Sequence, residues 1–108
     1  MHIDFHIKHG IVSDASLQQM RDRLLTLHRK DREIAKANVV LREEMADPLG
    51  RVCEVELLIY GSSIYVHRQA WSYDCAFREV MEMLTETIDA QLRKQKEPRV
   101  LNVTTVRV

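Results

Sequence analysis

A chain of 108 residues, 45% apolar and 30% charged, can bury one hydrophobic core and leaves no room for a second ordinary domain. Sixteen Lys/Arg balance sixteen Asp/Glu, which excludes a uniformly cationic coat. No stretch approaches the ~20 apolar residues of a membrane-spanning helix, and the N-terminus alternates polar and apolar residues unlike a secretory signal, so a soluble chain in a reducing cytoplasm is expected.

Residues 2–8 alternate: Ile3, Phe5 and Ile7 point one way, and His2, Asp4, His6 and Lys8 the other. That is a half-buried strand, broken by Gly10. Ser13 or Asp14 can cap a helix expected from Asp14 to about Lys30, with an apolar stripe of Leu17, Met20, Leu24 and Leu27. Asp31–Ala37 is charged and aperiodic, which predicts a fraying helix end and a loop. A second strand is expected over Asn38–Glu44. Asp47-Pro48-Leu49-Gly50 has turn chemistry, with Pro presetting φ and Gly supplying a positive φ. A third strand over Arg51–Tyr60, a tight turn at Gly61-Ser62 and a fourth strand over Ile64–Gln69 complete a sheet. Ser72 can cap a last helix, with Asp74 in its first turn, that runs to about Lys96 and stops at Pro98. Val100–Val108 has the β-propensity of a short extra strand, or of one that pairs with a neighbouring chain. The fold class is therefore α+β in the order β-α-β-β-β-α, residues 1–97 forming the domain and 98–108 a tail.

Two amphipathic helices must bury their stripes on one sheet face. The opposite face then carries mostly polar residues. Val40, Leu58 and Tyr65 are its apolar exceptions and a candidate interaction patch, through which, or through the C-terminal strand, the chain could form a homodimer.

Little in the sequence supports catalysis. Only three glycines are present, so no phosphate-cradling loop exists, and neither Cys53 nor Cys75 lies in a ligand or nucleophile motif. Both cysteines are expected as packed, reduced thiols. His2, Asp4 and His6 share a strand face, but an exposed strand with ~6–7 Å between neighbouring positions suits a solvated polar face better than a metal site. Trp71-Ser72-Tyr73 beside Arg68 could stack on bases, yet its position favours fastening the start of the last helix to the core. No enzyme, metal or cofactor is expected.

Charge is unevenly spread. Arg21 to Lys36 holds six Lys/Arg against three Asp/Glu, and Gln91 onward holds five against Glu97 alone. Phosphates respond to such local patches within a Debye length of ~8 Å. For each run there is a plain alternative: cations near a helix C-terminus also meet the helix dipole favourably.

Several strings resemble the ribosome hibernation family, which comprises hibernation-promoting factor and ribosome-associated inhibitor A. They are Asp22-Arg23-Leu24 followed by Leu27, Val39-Val40-Leu41-Arg42-Glu43, and Ala76-Phe77 leading into Glu79-Val80-Met81 and Leu84. With the element order, the likeness spans residues 2–96. It implies a four-stranded sheet with two helices on one side, as in double-stranded-RNA-binding domains. It also implies a short-form cytoplasmic factor of the stress response that blocks the decoding groove of the small ribosomal subunit and so regulates translation. By that resemblance the rRNA-contacting residues would be Arg23, Arg29, Lys30 and Arg32 at the first helix and its exit. Arg93, Lys94, Lys96 and Arg99 would extend the patch from the second. Where the family carries cations along its last helix, this chain has Met83, Glu86 and Ala90, within an outer row of Glu79, Glu82, Glu86 and Asp89. A module for protein interaction or homodimerisation on the same fold is the competing expectation.

Overall fold

In a computed structural model the elements follow the expected order: β1 (His2–Ile7), α1 (Asp14–Lys30), β2 (Ile34–Glu43), β3 (Arg51–Ile59), β4 (Ser62–Ala70) and α2 (Tyr73–Val106). The structure describes residues 1–44 and 49–106, with side chains up to residue 93. The strands lie in the order β1-β2-β3-β4. β1 runs parallel to β2, a pairing that needs a crossover, and α1 provides it. β2, β3 and β4 pair antiparallel.

Strand register sets which residues meet the helices. Ile3, Ala37, Leu57 and Ile64 form one inward row, and Phe5, Val39, Val55 and Val66 the next. Met20, Leu24 and Leu27 of α1 close over these rows together with Phe77, Val80, Met81, Leu84 and Ile88 of α2. Leu24, Leu84 and Ile88 are wholly buried, each contributing on the order of 1.5–3 kcal/mol. Cys53 sits in the same core, where burial pushes its thiol up to about 12, so it is inert as a nucleophile. Cys75 is also unpaired and half-buried.

Both helix starts form as their sequences dictate. The Ser13 hydroxyl accepts from Ser16 N at 3.1 Å and the Ser72 hydroxyl accepts from Cys75 N at 3.1 Å. Of the aromatic trio, Tyr73 fastens α2 to the body: its ring is buried, its hydroxyl donates to the His9 carbonyl at 2.8 Å, and the Arg51 guanidinium lies 5.8 Å from its centroid. Trp71 takes no part and is 69% exposed.

Three expectations need correction. β2 begins at Ile34, inside the stretch read as a loop. A register shift between Ile34 and Lys36 turns both Ile34 and Ala37 inward, and this irregularity hides the alternation. The β3–β4 turn is Tyr60-Gly61, with Gly61 at φ 83° and Ile59 paired to Ser62. Finally, α2 continues through Pro98 to Val106, and no strand forms at residues 100–106. A strand needs a partner's ladder, whereas a helix already nucleated satisfies its backbone locally and absorbs one proline at a cost of about 3 kcal/mol. Residues 47–48 of the expected Asp47–Gly50 turn, with 45–46 before them, and 107–108 of the tail lie outside the described residues.

Candidate nucleic-acid interface

The relative direction of the helices decides whether the basic runs meet. Ser16 Oγ, in the first turn of α1, donates to Asp74 in the first turn of α2 at 3.3 Å. Lys30 Nζ, at the end of α1, reaches Asp89 Oδ1 at 3.2 Å. The helices are therefore parallel, and Asp89 of α2 stands level with the end of α1. α2 then runs on past that level.

The last turn of α1 holds His28, Arg29 and Lys30, and its C-cap is Asp31. Sequence alone places Asp31, like Glu33 after it, among these cations as a neutralising charge. The structure turns it inward instead: it is only 9% exposed, its N–H bonds the Leu27 carbonyl and its carboxylate accepts from Glu33 N at 3.0 Å. Arg29 and Arg32 flank it, exposed and without an ion-pair partner among the described residues. Arg93, one helical turn beyond Asp89, is likewise exposed and unpaired there. Arg29, Lys30, Arg32 and Arg93 thus share one end of the helical layer, with Asp89 and the exposed Glu33, which follows Arg32, as the acids among them.

Arg23 stands apart from that group. It lines a groove of about 300 Å³ between the helices, with Thr26, Leu27, Lys30, Met81 and Thr85. The side chains of Lys94, Lys96 and Arg99 lie outside the described residues. Glu79, Glu82 and Glu86 are exposed on α2 and precede Asp89 along it. At 1.5 Å per residue, Glu82 lies ~16 Å from Arg93 along the axis, about two Debye lengths, whereas Glu86 at ~10 Å still subtracts from the field. The acids flank the cationic end rather than fill it. The Lys30–Asp89 contact was not legible in sequence, because it depends on the parallel setting of two helices 59 positions apart.

At the opposite end of the layer a cavity of about 400 Å³ lies between the two helix starts, lined among others by Glu43, Arg51, Trp71 and Asp74. Arg51 is bridged to Glu43 at 2.8 Å, so carboxylates prevail there and an anion gains nothing.

The outer sheet face is stitched by its own charges. Arg42 pairs with Glu54 and with Glu44, Lys36 with Asp4 at 3.3 Å, and His2 with Asp4 at 3.0 Å. The Tyr65 hydroxyl donates to Glu54, which pushes the phenol up to about 12. Burial works against the Glu54 charge, but the Tyr65 hydroxyl and Arg42 outweigh it and hold the carboxyl below its usual range. The Lys36 ammonium holds Asp4 low in the same sense. Val40, Leu58 and Tyr65 do not join into one apolar patch. Val40 pairs with Glu54 and Tyr65 with Glu56, so carboxylates separate them. Among the described residues no group of three metal-ligating side chains converges, and no helix is long and apolar enough to cross a membrane.

No protein-family profile matches the chain, and no curated protein sequence does. Solved structures do. A ribosomal subunit interface protein from Coxiella burnetii superposes with a TM-score of 0.71 at 18% identity, covering 87% of this chain and 100% of that one. The N-terminal domain of protein Y from Thermus thermophilus superposes with a TM-score of 0.70 at 18% identity, covering 82% of this chain and 96% of that one. The resemblance read from the sequence therefore holds at the level of the fold, which this chain shares with these two proteins across nearly their whole length.

Proposed function

We propose that the chain is a ribosome-associated factor that binds the rRNA backbone of the small subunit through the end of the helical layer where α1 stops, and shuts the decoding site when growth slows. The observation that carries this reading is the convergence of Arg29, Lys30, Arg32 and Arg93 at that end, three of them without an ion-pair partner among the described residues. Cations in this state neutralise phosphates and release counterions without reading sequence, and A-form RNA is recognised by its backbone and shape. The fold shared with a ribosomal subunit interface protein gives the partner class. Lys94, Lys96 and Arg99 would lengthen the footprint along α2, and Arg23 would add a contact at the groove. Such a factor works in the cytoplasm, by binding and not by catalysis.

Sedimentation with small subunits through sucrose tests this. The wild type co-sediments at low salt and is released steeply as salt rises, with log affinity falling by roughly 0.7–0.9 per log unit of salt for each phosphate neutralised. Replacing Arg29, Arg32 and Arg93 together with Ala removes most of the association while circular dichroism shows the fold intact. A folded triple variant that co-sediments like wild type overturns the assignment. The exposed row Glu79, Glu82 and Glu86, without an ion-pair partner among the described residues, favours a second reading, a protein-interaction module that kept the fold and left the ribosome; wild type that never enters the ribosomal fractions at low salt would favour it.

A further inference from the structure

We propose that the outer edge of β4 around Tyr65 and His67, against which no described strand pairs, adds a strand, and that its occupant is the β4 of a second copy, antiparallel about Val66. β4 is the outer strand of the sheet, and all nine of its residues pair with β3 in unbroken register. A long unbroken edge presents a row of backbone donors and acceptors, which proteins normally protect with Pro, Lys or a bulge. Ser62–Ala70 contains no Pro, no Lys and no Gly. Its one cation, Arg68, is folded back so that Nη1 donates to the His67 carbonyl at 2.8 Å. Alternate residues of an antiparallel strand turn both backbone groups to the same side, so a carbonyl met by a side chain at the edge places His67, and Tyr65 two residues before it, in the outward set.

The other edge of the sheet is guarded. β1 has six residues, the Arg21 guanidinium lies 5.3 Å from the Phe5 ring, and Asp4 with Lys36 and His2 forms a charged cluster beside it. Beside β4 there is instead a groove of about 420 Å³, whose helix side is formed by the uncharged Met83 and Thr87 and whose strand side includes Ile64 and Val66.

The strand is complementary to itself. With Val66 on a two-fold axis, Tyr65 faces His67 of the second copy, Ile64 faces the stem of Arg68, and no like charges stand opposite each other. Within one chain the Tyr65 and His67 rings are already 5.7 Å apart, so the axis brings two such pairs into one cluster. The outward backbone groups of Tyr65 and His67 then exchange both hydrogen bonds across the axis, replacing the Arg68 contact. An unrelated peptide would lack this matched pattern. The inference does not rest on the rRNA reading.

Sedimentation velocity of the full chain, from low micromolar to hundreds of micromolar, tests it. The wild type is expected to form a reversible dimer. Tyr65→Lys with His67→Lys sets like charges opposite each other twice and should weaken the dimer by about tenfold or more. Hydrogen exchange of the wild type alone should slow with concentration at Tyr65 and His67, a readout that stands even where a variant misfolds. A wild type that stays monomeric throughout overturns the proposal, as does a folded double-lysine variant that dimerises as tightly, or exchange in β4 that ignores concentration.

Discussion

The outer sheet face and the end of the helical layer are built from the same residue types and differ in who neutralises them. On the outer sheet face the cations are held by acids: Arg42 by Glu54 and Glu44, and Lys36 by Asp4. At the helix end, α1 stops with its acid, Asp31, turned inward and its arginines turned out. The lesson is that overall neutrality says little about binding. A charge paired within the fold has spent its field; one left without a partner is available to a phosphate. The helix dipole explains why cations gather where α1 ends. It does not explain why Arg93 of a second helix joins them.

Charge reversal separates the two regions most sharply. Arg29→Glu, Arg32→Glu and Arg93→Glu together should lower affinity for the small subunit by about a hundredfold or more at low salt, since three phosphate contacts become repulsions. Lys36→Glu with Arg51→Glu changes the net charge two-thirds as much from the sheet side and should leave co-sedimentation within about threefold of wild type. Equal losses from both sets would mean that the molecule's total charge, and not the helix end, governs binding.

The opposite sensitivity is expected for folding. Arg42→Met removes the guanidinium from Glu54, whose side chain is only 19% exposed, and leaves that carboxylate with the Tyr65 hydroxyl alone. Urea unfolding should show a loss of about 1–2 kcal/mol, above the norm for a surface pair because the acid is partly desolvated. Arg29→Met should cost within a few tenths of a kcal/mol, as is usual for an exposed site without special features.

Much of this was readable in the chain. The period-two run Ile3, Phe5, Ile7 and the stripe Leu17, Met20, Leu24, Leu27 located β1 to within one residue and α1 from Asp14 to Lys30, because both are regular and are followed or preceded by a stop at Gly10 and a cap at Ser13. The start of β2 was not readable, since the register shift at Ile34 breaks the alternation that betrays a strand. The C-terminal stretch misled in the other direction: the Val and Thr content of residues 100–108 is a strand preference that counts only where a ladder is available. For the site, the residue types were legible and their company was not. Asp31 reads as a neutralising charge until its inward turn is seen, and Asp89 reads as one more acid of a stripe until Lys30 is found on it. Val40, Leu58 and Tyr65 read as a patch only while the carboxylates paired opposite Val40 and Tyr65 are ignored.

The paired face should also carry a pH signature. Glu54 titrates below its ordinary value of 4.5 in the folded chain. Its contribution to stability is therefore complete above that value and lost as pH falls through the lower, folded one. Glu54→Gln should flatten the acid limb of the stability curve in that window and leave the slope at neutral pH unchanged. An acid limb as steep as wild type would assign the proton uptake to other carboxylates.

The smallest effect tests the boundary between the two regions. Asp89 is the acid of α2 that stands within the cationic end, and its pair with Lys30 is exposed, with side chains 45% and 39% accessible. Such a pair adds only about 0–1 kcal/mol to stability, so Asp89→Asn should fold normally. It frees Lys30 and removes a negative charge within a Debye length of Arg93, so affinity for the small subunit should rise about two- to threefold at low salt and return to wild type at high salt. Glu79→Gln removes the same charge ten positions earlier on the helix, ~15 Å away, and should change nothing. A gain from Glu79→Gln equal to that from Asp89→Asn would show that the acidic flank of α2 belongs to the binding surface, and that the cationic end is not the separate region its geometry describes.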